Sequence, residues 1–236
     1  MTSALRRYAA EVVGSFALVA IGTGAAMVSA KTQAFGHSGI ALAFGLAVTL
    51  VVASSGHLGG AHVNPAVTIG FWSVRRFPGR DVAPYVAAQC VGAVAASALL
   101  AWLLGPVGSF GATVPSLPLL QSFVVELGYT GLLGFVIMGV ATDERTPIAV
   151  APFAIGATIF AGALVTGPLT GGSFNPARTF GPAVVGDIWT AHWLYWLAPI
   201  LGAVLGMRLY DLLRTSDAPP PPLSATGTEG VVLAGD

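Results

Sequence analysis

The stretch Gly59-Gly60-Ala61-His62-Val63-Asn64-Pro65-Ala66 has a near-copy in the second half of the chain, Gly171-Gly172-Ser173-Phe174-Asn175-Pro176-Ala177-Arg178, with the two asparagines 111 positions apart. Asn caps a helix well, Pro suits the first helical position and Ala continues it, so one Asn-Pro-Ala says only that a helix begins. Two copies, each after Gly-Gly and each interrupting an apolar run, are far more restrictive. The chain around them is 55% hydrophobic and only 8% charged, with a mean hydropathy of +0.80, where soluble proteins carry about 25% charged residues. This is the composition of a polytopic membrane protein, and the two motifs read as broken helices that meet inside the bilayer.

Apolar windows of roughly 20 residues place six spans near 4–30, 38–57, 81–104, 118–141, 148–167 and 190–213. The apolar run 8–30, interrupted only by Glu11, is long enough to span and is read as the first helix, not as a cleaved signal. Between spans two and three, and again between five and six, lie apolar helices near 64–74 and 175–185. At about 1.5 Å per residue these are too short to cross, and they re-enter from opposite faces. Arg6, Arg7, Arg75, Arg76, Arg80, Arg145, Arg208 and Arg214 fall on one side of this topology, with Lys31 opposite. The positive-inside rule then puts both termini in the cytoplasm.

The halves repeat. Glu11 matches Glu126, Asn64 matches Asn175, and Gln89-x-x-Gly92-Ala93 matches Pro199-x-x-Gly202-Ala203. Each repeat, about 4–104 and about 118–213, holds three spans, an odd number, so the second is inverted and the site is expected near the midplane between them. Residues 1–214 are expected to form one membrane-embedded domain, and 215–236, with prolines at 219–222, a disordered cytoplasmic tail. Gly128, Gly131 and Gly134, the Gly202-x-x-x-Gly206 pair, and Gly92 with Ala96 supply small residues for close helix packing.

Ten Lys plus Arg against ten Asp plus Glu leave no net charge. This gives no sign of a nucleic-acid partner or of a polybasic lipid clamp. A single cysteine, Cys90, excludes a disulfide within the chain, and no Cys/His spacing suggests a metal or another cofactor. No nucleophile-base or paired-carboxylate pattern at workable spacing points to an enzyme.

Backbone outside a helix is costly in hydrocarbon, so residues 58–63 and 167–174 must line water or be buried in protein. Their carbonyls, those of Gly60, Ala61, His62, Gly171 and Ser173 in particular, are expected to form a ladder of acceptors, with Gly59, Gly60, Gly171 and Gly172 supplying permissive dihedrals. Each Asn caps its half-helix through its side-chain oxygen, which leaves its NH2 free to donate toward the lumen. The two half-helix N-termini, each worth about half a positive charge, oppose cations at the midplane. Glu11 and Glu126 are read as acceptors for the broken backbone of their own repeats, since they are repeat-related and Arg178 is the one intramembrane cation; a proton relay is the other reading. Arg178, whose counterpart is Val67, breaks the repeat and is expected to face the lumen as a barrier to cations. His62 adjoins the first half-helix as a further lumen acceptor, His57 is read as anchoring the loop, and His37 and His192 as interfacial.

These motifs resemble the aquaporin, or major intrinsic protein, family over residues 4–214. The resemblance implies an all-α membrane fold: a right-handed bundle of six spans and two half-helices, usually a homotetramer with one pore per subunit and no cofactor. Carried over by distance from the motifs, the family's narrow filter falls on Phe44, Ala163, Gly172 and Arg178. The water-specific pattern has His where Ala163 stands, and a glycerol facilitator would carry a Trp and a second aromatic. Thr179, Ala183 and Tyr195-Trp196 look like the water branch. In contrast, Arg75-Arg76-Phe77-Pro78, Gly111-Ala112-Thr113-Val114-Pro115-Ser116 and Gly167-Pro168-Leu169-Thr170-Gly171 look like the plant nodulin-26-like branch of channels for small uncharged solutes.

The sequence therefore points to a passive channel for water, with glycerol, urea or metalloid hydroxides as further cargo and with protons and ions excluded. The competing reading is a secondary transporter on the same inverted-repeat plan, with Glu11 or Glu126 carrying protons.

Overall fold

The computed structural model describes residues 3–214, so the expected disordered tail lies outside the described residues. The helices are α1 (Ser3–Thr32), α2 (His37–Gly59), α3 (Pro65–Ser73), α4 (Gly79–Leu104), α5 (Leu119–Ala141), α6 (Ala151–Thr170), α7 (Pro176–Gly186) and α8 (Leu194–Leu213). Short 3-10 turns occupy Gly108–Gly111 and Ile148–Val150. Six of the helices are long and apolar enough to cross a membrane, and α3 and α7, at 9 and 11 residues, are the half-helices. The last span begins at Leu194, not near 190, because residues 190–193 form turns.

The inverted repeat is written into the packing. α1 lies on α4 as α5 lies on α8, and α2 meets α6 between the halves. A Cβ on Gly92 would stand 2.2 Å from the Val12 carbonyl oxygen, and a Cβ on Gly202 would stand 2.2 Å from that of Leu127. Where the repeats face each other, Gly45 and Gly156 are mutual contacts: a Cβ on either would come within 2.8 Å of the other's carbonyl oxygen. At these positions glycine is a steric requirement, because the obstacle is backbone that cannot turn aside. Gly131, Gly134 and Gly206 belong to the same seam. Gly128 does not, since nothing lies within 4 Å of where its Cβ would stand, and the packing role expected for it is withdrawn.

Ion pairs gather at one end of the bundle. Arg7 pairs with Asp81, Arg76 with Asp211, and Arg145 and Arg214 with Asp143. At the other end Lys31 donates to the Leu104 carbonyl. Asp143 is held well below the usual carboxylate range by the Arg145 guanidinium and the Tyr210 hydroxyl, and its carboxylate knits the α5–α6 connection to α8.

Candidate functional site

The chain leaves helix later than the sequence suggests. α2 runs through Gly59 and α6 through Thr170, so the breaks are 60–64 and 171–175. Gly59 is helical and supplies no special dihedral; its lack of a side chain instead leaves room for the Arg7 carbonyl and the Tyr85 hydroxyl, each 3.3 Å from where a Cβ would stand. Tyr85 donates to the carbonyl of Gly59 at 2.8 Å, and Tyr195 does the same for Thr170 at 2.6 Å, so each helix end keeps a partner for its last carbonyl.

Within the breaks the two backbones follow the same path. Positive φ occurs at Gly60, Ala61 and Val63 in the first and at Gly171, Gly172 and Phe174 in the second. Val63, β-branched at φ 42°, is strained. The buried carboxylates compensate: Glu11 accepts from the N–H groups of His62 (2.8 Å) and Val63 (2.7 Å), and Glu126 from those of Ser173 (3.0 Å) and Phe174 (2.8 Å). A third donor completes each set, Gln89 Nε2 on Glu11 and the Thr170 hydroxyl on Glu126. Donors on both oxygens suit an ionised carboxylate.

Asn64 and Asn175 cap α3 and α7, their side-chain oxygens accepting from the N–H groups of Ala66 and Ala177, with Pro65 and Pro176 opening the helices. Their NH2 groups are not wholly free for the lumen. Asn64 Nδ2 donates to the Phe174 carbonyl and Asn175 Nδ2 to that of Val63, both at 2.8 Å. Each motif thus braces the other's loop, and one N–H of each amide remains.

A lumen with about 780 Å³ of empty space, its solvent-open parts included, runs past both motifs. Gly60, Ala61, His62, Gly172 and Ser173 line it. Gly171 is absent from that lining, and a Cβ on it would stand 3.0 Å from Thr113. Most of the remaining wall is aliphatic, including Val48, Leu133, Ile137 and Ile159.

Phe44, Ala163, Gly172 and Arg178 all reach this lumen. The Arg178 guanidinium lies 4.8 Å from the centre of the Phe44 ring, and Gly22 leaves that ring its space, since a Cβ there would stand 2.2 Å from it. Phe174 does not swing into the gap beside Ala163; it is buried behind the wall, stacked on Tyr129 at 5.8 Å. Glu11 and Glu126 do not line the lumen, and Cys90 packs outside it against the small-residue cluster of Val19, Ala93, Ala96 and Ala177.

Three contributors escape a reading of the sequence. Gly111, in a turn where residues 108–111 all have positive φ, gives its carbonyl to Arg178 Nη1 at 2.9 Å. Thr113 meets the Thr179 hydroxyl at 2.8 Å, which in turn meets that of Ser173. Gln89 bridges Glu11 and Thr68. His62 is wedged between Phe71, Phe77 and Tyr85, with Nδ1 3.1 Å from the Thr68 hydroxyl. His57 lies exposed in the last turn of α2 without a hydrogen bond among the described residues, so it does not anchor the loop. His37 Nε2 meets the Leu164 carbonyl, and His192 accepts from Trp196 at the opposite end from the ion pairs.

Two half-helices are capped by reciprocal asparagines across one lumen, and the sequence model of the major intrinsic proteins fits residues 1–210. The chain belongs to the major intrinsic protein family. Among relatives in that family it is similar to nodulin-26 of Glycine max, 42% identical over 233 residues that cover 98% of this chain and 85% of that one. Aquaporin NIP6-1 of Arabidopsis thaliana is 42% identical over 213 residues, 90% of this chain and 70% of its own. The fold matches the X-ray structure of the aquaglyceroporin from Plasmodium falciparum at a TM-score of 0.80 and 27% identity, over 88% of this chain and 96% of the other. Family, fold and six apolar helices together make this an integral membrane protein.

Proposed function

We propose that the protein is a passive channel for water and small uncharged solutes such as glycerol, urea or metalloid hydroxides. The observation that carries this reading is the ring of Phe44 and Arg178 facing Ala163 and Gly172, two walls without bulk. An apolar face, one fixed cation and backbone acceptors suit a hydroxylated neutral solute that exchanges its water for a few directed hydrogen bonds. Water-channel and glycerol-channel names among its relatives, aquaporin and aquaglyceroporin, support the same reading. Arg178 and the N-termini of α3 and α7 act as the barrier to cations and protons.

The transporter reading has less support. Glu11 and Glu126 are buried behind the loops with three donors each, so neither is placed to pick up a proton from the lumen. In this reading residues 1–214 form the channel domain, the end rich in ion pairs is cytoplasmic with both termini, and the protein assembles as a homotetramer with one pore per subunit.

Stopped-flow light scattering on reconstituted vesicles, comparing water, glycerol and urea with and without an imposed pH gradient, tests the proposal. Flux down a solute gradient that ignores the pH gradient is the expected result; flux driven by protons would establish the transporter instead.

A further inference from the structure

The two breaks are braced alike except at one point. Thr68 on α3 and Thr179 on α7 are repeat-related, 111 positions apart, as are His62 and Ser173. In the first repeat Thr68 Oγ1 donates to the Asn64 carbonyl at 3.1 Å, meets His62 Nδ1 at 3.1 Å and accepts from Gln89 Nε2 at 3.0 Å. In the second, Thr179 Oγ1 meets the Ser173 hydroxyl, and Ser173 Oγ donates to the Asn175 carbonyl at 3.0 Å. The remaining partner does not come from the matching span, where Pro199 stands in the place of Gln89 and has no side-chain donor. It comes from Thr113, in the connection between α4 and α5, at 2.8 Å. Each hydroxyl has a single proton to give. That of Ser173 goes to the Asn175 carbonyl, so Thr179 donates to Ser173 and Thr113 to Thr179, and the chain of donors runs from the connection into the break.

The same connection holds Arg178. Gly111, two residues before Thr113, gives its carbonyl to Arg178 Nη1 at 2.9 Å, and Arg178 and Thr179 are neighbours on α7. Ser109 and Phe110 have positive φ although neither is glycine, so the Gly111 carbonyl ends a turn that relaxes unless its far side is tied down. Ala112 is extended, at φ −63° and ψ 149°, and passes the chain directly to the tie at Thr113. Thr113 also packs on the start of the second break, since a Cβ on Gly171 would stand 3.0 Å from its Cα, Cβ and Cγ2. Thr113, Thr179 and Ser173 are all buried within the single chain, so the clamp does not depend on neighbouring copies.

We propose that Thr113 is a positioning residue for the cation of the lumen: its bond to Thr179 locks the Gly111 carbonyl in place against the Arg178 guanidinium and thereby sets which solutes pass. Without that bond the Gly111 carbonyl shifts. Arg178, whose Nε has no hydrogen-bond partner among the described residues, then moves into the lumen. There it obstructs a solute wider than water more than it obstructs water. The inference rests on the reading of the lumen as a passage for water and small uncharged solutes.

Thr113→Val removes the hydroxyl at nearly constant shape, and Thr113→Ser keeps it. Both are compared with the parent, with Arg178→Val and with Thr113→Val combined with Arg178→Val, by stopped-flow measurement of glycerol and water flux on the same reconstituted vesicles. The expected result is a glycerol-to-water ratio about fivefold lower in Thr113→Val, the weight of one hydrogen bond. Thr113→Ser should restore the parent ratio, and Thr113→Val should change nothing further once Arg178 is gone. An unchanged ratio in Thr113→Val, or the same fall with and without Arg178, overturns the proposal, as does a loss of water and glycerol flux in equal proportion. If Thr113→Val does not accumulate as folded protein, Thr179→Val breaks the same bond from the α7 side and is scored in the same way. Parent vesicles that pass water and no glycerol would sink the solute reading instead; the cycle is then scored on water flux, which Thr113→Val should lower only where Arg178 is present.

Discussion

Arg178 Nη1 donates to the carbonyl oxygen of Gly111 at 2.9 Å, across 67 positions of sequence, and this bond fixes which way the one buried cation of the lumen points. Its Nε is buried and has no hydrogen-bond partner among the described residues, and the guanidinium carbon lies over the Phe44 ring. The charge is thus held by packing and one carbonyl, and among the described residues no carboxylate forms an ion pair with it.

Arg178→Val should therefore leave water flux substantial while admitting a leak of protons or small cations, because the half-helix dipoles remain but the full charge is gone. Paired water-flux and pH-dye measurements on the same vesicles check this. A variant as ion-tight as the parent would remove Arg178 from the barrier.

Glu11 carries a second prediction. Glu11→Gln keeps one acceptor for Val63 and Gln89 but turns an NH2 toward the His62 N–H, whereas Glu11→Leu strands all three donors. At about 1–3 kcal/mol per buried unsatisfied group, Gln should lower the melting temperature modestly and Leu should prevent accumulation of folded protein. A Gln variant that folds as well as the parent yet passes nothing would restore a titrating role for the carboxylate.

How much of this was legible in the sequence depends on whether a residue type or only a backbone atom does the work. The doubled Asn-Pro-Ala, Glu11 with Glu126 and the inverted halves were readable because each is a distinctive residue recurring at nearly one offset. The exact ends of α2 and α6 were not, since Gly59 and residues 167–170 can be helical or not, and tyrosines from α4 and α8 decide it. The carbonyl of Gly111 carries no residue signature, and the single hint was the glycine-rich stretch before α5. Nor does a local sequence tell that each asparagine amide reaches the opposite loop, because that bond exists only once the halves have met.

The helix seam gives a contrast between two glycines. A Cβ on Gly206 would stand 1.9 Å from the Gly131 carbonyl oxygen, while one on Gly128 would meet nothing within 4 Å. Gly206→Ala should separate α5 from α8 and greatly reduce the yield of folded protein, overpacking against backbone being the unfavourable limit of a cost of about 1–3 kcal/mol. Gly128→Ala should be neutral or stabilising by up to about 1 kcal/mol through helix propensity. Melting temperatures in one detergent, measured side by side, decide it, and equal behaviour of the two variants would contradict the packing.

Asp143 predicts a pH dependence. Its carboxylate is held below the ordinary range mainly by Arg145, with help from Tyr210. A lowered folded-state value means that its contribution is fully present above the unfolded value of about 3.9 and is lost as pH falls below it. The tie between the α5–α6 connection and α8 should thus hold constant from neutral pH down to about 5. Hydrogen exchange of residues 142–147 should rise below about pH 4 in the parent, and Asp143→Asn should show the faster exchange already at pH 7. Parent-like protection in the Asn variant would make the ion pair dispensable.

The last prediction concerns the width of the filter. Ala163 and Gly172 leave half of the ring without side-chain bulk, and the Gly172 backbone sits close to Ala163, 3.3 Å from the Ala163 Cα to where a Gly172 Cβ would stand. An imidazole at position 163 would enter the lumen that Arg178 and Phe44 also line, since Ala163 lines it and it is the neighbouring Gly162 that backs onto Phe174 and Tyr129. It would narrow the aperture and add a polar group that holds water in place. A larger hydroxylated solute would then have to shed more of its hydration than the remaining carbonyls and Arg178 can replace. Ala163→His should therefore depress glycerol and urea uptake much more than water flux, and should leave ion tightness unchanged because Arg178 keeps its bond to Gly111. Vesicles that pass water quickly and none of these solutes, both before and after the substitution, would show that the ring of Phe44, Ala163, Gly172 and Arg178 does not set the size limit.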